Sequence, residues 1–144
     1  MPSVPLERTL FIVKPDAVAR KETEKILQRI TEAGFRICGL RSEHLTAERA
    51  GQFYQVHRGK PFYESLVEFM SSGPILVTVL EKANAIKDLR KTVGATDPAE
   101  AVPGTIRRDF AESKGRNAVH ASDAPETARQ EIDFFFPDAD FEND

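Results

Sequence analysis

One cysteine and no tryptophan stand among the 144 residues of this chain. A lone thiol cannot form an internal disulfide or a thiolate metal cage. With Ile37, Gly39 and Leu40 beside it, Cys38 reads as a small core residue. No apolar run approaches the roughly 20 residues that a membrane helix needs. The start, Met1 to Arg8, carries charge but no apolar core, so no secretory signal is expected and a reducing cytoplasm is the expected compartment. The net charge of -3 lacks the excess of lysine and arginine on which binding to a nucleic-acid backbone relies. A nucleic-acid partner is therefore not expected, and any anionic ligand must be held by a local cluster of cations. Neither HExxH nor a Cys/His cluster occurs, which argues against a metal held by the protein alone. GxxxxGK[ST] and GxGxxG are also missing, and Gly59-Lys60-Pro61 has no upstream glycine at phosphate-loop spacing. With no repeat and no low-complexity linker, residues 1–144 read as a single domain ending in an acidic tail from about 137 to 144.

What is present is a series of short periodic segments. Thr9 to Val13 reads as a buried strand ended by Lys14-Pro15-Asp16. A helix follows, with Ile26, Leu27, Ile30 and Ala33 on one face and Gly34 as its stop. Phe35 to Leu40 alternates, Phe35, Ile37 and Gly39 opposing Arg36 and Leu40, as a second strand. Thr46 caps a helix carrying Ala50, Phe53 and Tyr54, and Pro61 opens another with Phe62, Leu66, Phe69 and Met70. After the turn Ser71-Ser72-Gly73-Pro74, Ile75 to Leu80 is a third strand, and Asn84 to Val93 a short helix stopped by Gly94. A last strand at Ala118-Val119 and a last helix from Ala124 to Phe135 complete an α+β pattern. The β-α-β-β-α-β ferredoxin-like plan, an antiparallel sheet with helices packed on it plus extra helices, fits it best.

Between the last two strands, residues 95–116 show little periodicity but hold Thr96, Thr105, Arg107, Arg108, Lys114 and Arg116. A loop this long in so small a domain is usually functional or disordered. Its phosphate-binding side chains suggest a segment that covers a ligand. Directly after it comes Asn117-Ala118-Val119-His120-Ala121-Ser122-Asp123. Asp123 and Glu126 have N-cap and N3 spacing, and Pro125 suits a first helical turn, so His120 stands on a strand-to-helix junction. A neutral imidazole there could be nucleophile, base or acid, or merely structural. Phosphoryl transfer would need cations and donors converging on it, and Lys14, Arg90, Thr96 and Arg107 are the candidates. Glu131 could turn back to hold the ring's tautomer or be a solvated helix charge. Phe62 could stack on a base or belong to the core.

NAVHASD resembles the N-x-x-H-G-S-D signature of nucleoside diphosphate kinases. ERTLFIVKPDAV, FYQVHRGKPFY, LVEFMSSGP, VGATDPAEAVPGTIRRDF and GRNAVHASD follow in the family's order, from about Glu7 to Phe136. The resemblance implies that His120 takes the γ-phosphate of a nucleoside triphosphate and passes it to a diphosphate. It implies that Lys14, Tyr54, Arg90, Thr96, Arg107 and Asn117 hold phosphates and ribose. Phe62 and Leu66 would flank the base, and Ser122 and Glu131 would position the histidine. Mg²⁺ would arrive on the nucleotide, and the chain would form a homo-oligomer, tetramer or hexamer, built from dimers. A catalytically silent nucleotide-binding regulatory module is the alternative. Three positions depart from the pattern. Ala121 replaces the usual glycine, and Lys114 stands where an apolar residue often covers the base. The chain also ends soon after Pro137, like the short bacterial form.

Overall fold

The computed structural model describes residues 6–113 and 116–137. Four strands form one sheet: β1 (Leu6–Val13), β2 (Arg36–Glu43), β3 (Ile75–Ala83) and β4 (Val119–Ala121). Their order is β2-β3-β1-β4, with each neighbouring pair antiparallel. The helices are α1 (Pro15–Ala19), α2 (Thr23–Glu32), α3 (Ala47–Phe53), α4 (Tyr63–Met70), α5 (Ala85–Val93), α6 (Ile106–Phe110) and α7 (Pro125–Phe135), with a 3-10 turn at Gln55–His57. Strand order and connections are those of the ferredoxin-like α+β plan.

The period of two along the strands divides the core into two layers. Phe11 and Val13 of β1 and Leu80 of β3 point to one face, where Ile26 and Ile30 of α2, Leu89 and Val93 of α5 and Ile106 of α6 cover them. Leu10 and Ile12 of β1 and Val77 and Val79 of β3 point to the other, under Ala50 of α3, Met70 of α4 and Phe135 of α7. The second layer is where α3, α4 and α7, beyond the basic plan, pack. In β4 the same alternation sends Val119 and Ala121 into the first layer. His120, between them, is therefore turned to the second face, under α3 and α7. That single parity decides which side of the sheet holds the histidine.

Several local expectations are corrected. The strands run further than their apolar cores, β1 starting at Leu6 and β3 continuing to Ala83. Lys14-Pro15-Asp16 is not a bare turn: Lys14 is the N-cap of α1, with Pro15 at its first position. In β2 the register shifts between Ile37 and Gly39, so Cys38 is an extra residue, half-buried and packed against the second layer. The helix expected from Pro61 begins at Tyr63. At the other end of the chain, Ala124 rather than Asp123 is the N-cap of α7, with no side-chain cap bond. Asp123 is exposed and the expected reciprocal cap with Glu126 does not form. Pro125 at the first helical position removes one orphan N–H and sets the entry angle in its place. Lys114 and the tail beyond Pro137 lie outside the described residues.

Ala121 pairs with Phe11 in β4, is 8% exposed and has no left-handed backbone angle. Its methyl group fills space in the first layer without strain. Ala121→Gly is expected to destabilise the protein by about 0.5–1 kcal/mol through lost packing and added chain entropy. A lower denaturant midpoint at an unchanged slope checks this.

Candidate active site

The polar core of the site is a triad on two elements. His120 Nε2 donates to Glu131 Oε1 of α7 at 2.8 Å, and Ser122 Oγ donates to the same oxygen at 2.7 Å. A carboxylate at Nε2 fixes the proton there, so Nδ1 carries the free lone pair. The ring is wedged edge-on against Phe53 (5.4 Å between centroids) and Tyr54 (6.1 Å), both from the end of α3. Ser122 is fully buried, and its N–H donates to the Leu10 carbonyl of β1. The imidazole is thus held by one hydrogen bond and two rings. Its side chain keeps 18% of its surface open.

A second group gathers where β1 ends. Lys14 Nζ donates to Asn117 Oδ1 at 2.9 Å, and Asn117 Nδ2 donates to the Thr96 carbonyl at 3.3 Å. Lys14 is 6% exposed. Burial, with help from the charge on Arg107 and against that of Asp16, pushes its pKa down to about 8. Arg107, in α6, donates to the carbonyls of Gly94 (3.2 Å) and Val119 (2.9 Å), while its Nε has no partner. Burial and the neighbouring Arg90 lower Arg107 to about 10, which leaves it cationic at neutral pH. Two buried cations that repel one another, one with an unused N–H, are costly. An anion between them would relieve that cost.

The long loop supplies Arg107 through a close fit. Gly94 ends α5 with φ 92°, and a Cβ there would meet Thr105 Oγ1 at 2.6 Å. Thr105 is itself the cap of α6, accepting from the Arg108 N–H. Residues 95–116 are accordingly not all irregular. They contain α6, whose five residues make less than two turns and show no helical period.

The segment before His120 is strained. Ala118 has φ 71°, and the Val119 N–H donates across it to the Asn117 carbonyl at 2.8 Å. This is a γ-turn in the left-handed region, which costs a non-glycine residue about 1–2 kcal/mol. Two bonds from the β1–α1 junction hold it: Lys14 N–H to the Ala118 carbonyl (2.8 Å) and Ala118 N–H to Asp16 Oδ2 (3.1 Å).

Towards solvent, rings lead away from His120. Tyr54 lies against His57 (6.3 Å, 25° between planes), and His57 lies 5.2 Å from Phe62. Phe62 is 48% exposed, with Lys60 Nζ 5.8 Å from its ring centre. It caps the start of α4 instead of entering the core. Leu66, one turn later, is half-buried against the second layer. Tyr54 OH is buried without a partner, and burial followed by the Glu131 charge raises its pKa. His57 Nδ1 is likewise buried and unpaired, and burial, Lys60 and His120 lower its pKa. Arg90 and Thr96 are exposed at the rim.

His57 was not among the sequence candidates. Its only signal was a position one turn after Tyr54 in a segment rich in cations. Among the described residues no group of three His, Cys, Asp or Glu side chains could hold a metal ion, and no helix is long and apolar enough to cross a membrane.

The site thus joins a histidine fixed at Nε2 to buried cations at one side and a ladder of rings at the other, on a chain that matches known proteins over most of its length. The family model for nucleoside diphosphate kinases matches residues 7–141. The chain belongs to the nucleoside diphosphate kinase family. It is 57% identical over 131 residues to the nucleoside diphosphate kinase of Ruegeria pomeroyi, covering 91% of this chain and 94% of that one. It is 56% identical over 135 residues to the Nitrosococcus oceani enzyme, covering 94% of each. The crystal structure of the Aquifex aeolicus nucleoside diphosphate kinase superposes with a TM-score of 0.90 at 51% identity, over 92% of this chain and 96% of that one. The apo enzyme of Encephalitozoon cuniculi gives 0.88 at 34% identity, over 95% and 96%. Members of this nucleoside diphosphate kinase family are phosphotransferases.

Proposed function

We propose that the chain transfers the γ-phosphate of a nucleoside triphosphate to a nucleoside diphosphate through a phosphohistidine on His120. The observation that carries this reading is the His120–Glu131–Ser122 arrangement, which ties up Nε2 and leaves Nδ1 as the nucleophile. The Nδ1 lone pair attacks the γ-phosphorus, the bond to the bridging oxygen breaks, and its electron pair leaves on the diphosphate. The ring gains positive charge as the bond forms, and the Glu131 carboxylate on Nε2–H stabilises it. A second diphosphate then takes the phosphoryl group by the reverse step. Both halves can use one site because donor and acceptor share a diphosphate.

Lys14 and Arg107 would hold phosphate oxygens, with the Tyr54 hydroxyl as a further donor and Arg90 and Thr96 at the rim. The buried, unpaired polar atoms of Tyr54 and Arg107 support this. The half-exposed Phe62, with Leu66 one turn on, would take the base, and Asn117 keeps Lys14 aimed. Stacking with few base-edge bonds favours loose base selectivity. His57 stands between base and phosphate positions. Mg²⁺ would come as part of the nucleotide substrate, on its phosphate oxygens, where it neutralises charge and orients the phosphates. The donor set suits this, since Glu131 is committed to His120 and Ser122.

We further infer a cytoplasmic homo-oligomer built from dimers, tetramer or hexamer. It would be made of one domain over 1–144. β2, at the sheet edge with Leu40 53% exposed, supports self-association. A mass measurement in solution decides the number.

The low Lys14 pKa makes a pH prediction. In the free enzyme the ammonium is lost as pH rises through about 8, so kcat/KM is expected to fall above that value. Stability responds oppositely. Between about 8 and the ordinary 10.5 the unfolded chain binds the extra proton. The Lys14 contribution is therefore most favourable above 10.5 and is lost as pH falls through 8. Rate profiles and denaturant titrations over the same range check both signs.

The test of the function is direct. Protein incubated with γ-labelled ATP and Mg²⁺ is expected to yield an acid-labile phosphoprotein that GDP discharges to GTP. A protein that binds nucleotide and takes no label would be the silent regulatory module.

A further inference from the structure

Asp16 takes no part in the chemistry above, yet its side chain is 1% exposed at the base of the segment that carries His120. Its Oδ2 accepts the Ala118 N–H across 102 residues of chain, and Arg20 stands 3.9 Å from the same oxygen. Ala118 is fully buried at φ 71°. Of the two bonds that the β1–α1 junction makes to Ala118, the one from Lys14 is backbone to backbone and the one from Asp16 comes from a side chain. Without it a buried N–H would have no acceptor, and alanine would be free to relax to negative φ.

The groups on either side of the turn are those the site depends on. Asn117, before it, accepts from Lys14 Nζ, and the Val119 carbonyl, after it, accepts from Arg107. His120 is the next residue. A change at Ala118 therefore moves a lysine partner, an arginine partner and the nucleophile together.

We propose that Asp16 is a positioning residue for phosphoryl transfer, its carboxylate locking the left-handed turn at Ala118 so that Lys14, Arg107 and His120 stay in register. This rests on the reading of His120 as phosphate carrier. Asp16 touches no reacting atom and acts through the turn, beside the charge it presents to Lys14.

Glycine adopts positive φ without a Cβ penalty, which supplies the decisive control. Asp16→Ala is expected to slow single-turnover phosphorylation of His120 by about 100-fold, the scale on which small misplacements are felt. Dissociation of a fluorescent diphosphate analogue should change much less. Adding Ala118→Gly to Asp16→Ala should recover most of the rate, because the turn no longer needs its lock. Asp16→Asn, which keeps one acceptor oxygen, should fall between wild type and Asp16→Ala.

A wild-type rate in Asp16→Ala, or a double variant no faster than the single one, overturns the proposal. If Asp16→Ala does not fold, the same comparison is made on Asp16→Asn with and without Ala118→Gly, and failure of the glycine to accelerate it is equally decisive. ¹⁵N shifts of the His120 ring are recorded on every variant. If even the wild type takes no phosphate, the phosphate-carrier reading fails. The shifts then still report whether Asp16 sets the ring, moving in the Asp16 variant and returning with Ala118→Gly, or not.

Discussion

His120→Ala is expected to abolish phosphoenzyme formation and to cut turnover by about 10⁶, the scale on which removal of an enzymic nucleophile is felt. The fold should survive. His120 contributes one hydrogen bond to Glu131 and two edge contacts at a site still 18% open, rather than a share of either core layer. Nucleotide binding should also persist, since Lys14, Arg107 and Phe62 are untouched. The variant therefore separates chemistry from binding: calorimetry with a diphosphate should give near wild-type affinity while the label is lost. Glu131→Gln is a milder contrast. It retains an acceptor for Nε2–H but lacks the charge that stabilises the ring as it gains phosphate, so rate falls more than affinity.

The other large effect is expected at Arg107. Arg107→Ala should lower kcat by about 100- to 1,000-fold, roughly 3–4 kcal/mol, as for loss of a positioned donor that acts on developing charge. Here the arginine does two jobs. Its two terminal nitrogens bind the carbonyls of Gly94 and Val119, which fasten the end of α5 and the strand carrying His120 to α6. Its unpaired Nε and its charge are what the proposed phosphate contact would use. Arg107→Lys restores a charge but cannot span two carbonyls, because an ammonium lacks the planar fork. It should recover only part of the lost rate. Pre-steady-state phosphorylation, with thermal melting run alongside, distinguishes lost chemistry from a loosened loop.

The parts of this structure legible beforehand were those written in local periodicity. The continuous apolar runs of β1 and β3, the alternation in β2, the helical spacing of α2 and the glycine stop of α5 predict elements of the right type in the right order. The ferredoxin-like plan follows from them. What escaped was short or distant. Helices α1 and α6 have five residues each, too few for a 3.6-residue period to repeat. The shift at Cys38 hides because one extra residue in a strand resembles continued alternation. The Asp123–Glu126 spacing suggested a cap, but Ala124 and Pro125 start α7 and leave Asp123 in solvent. Parity in β4 put His120 under α7, where Glu131 meets it, and eleven residues of separation alone did not show that.

The site divides in the same way. Lys14 follows a strand and Arg107 sits in a loop rich in cations, so residue type and place drew attention to both. Their convergence became plausible only through the ordered resemblance to a family. Phe62 reads better as core from periodicity alone, and its 48% exposure is a tertiary fact. His57 and Asp16 were invisible. In the sequence His57 is one more polar residue in a basic segment. Asp16 is an ordinary turn residue until Ala118, 102 positions later, donates to it in the fold.

The central claim is that His120 carries phosphate on Nδ1 because Glu131 occupies Nε2. Phosphoenzyme prepared with a nucleoside triphosphate and Mg²⁺, ¹⁵N-labelled in histidine, reports the bonded nitrogen by its coupling to ³¹P. The expected result is one phosphorus on Nδ1 of His120, with Nε2 still protonated. Phosphorus on Nε2, or on any other residue, would contradict the account.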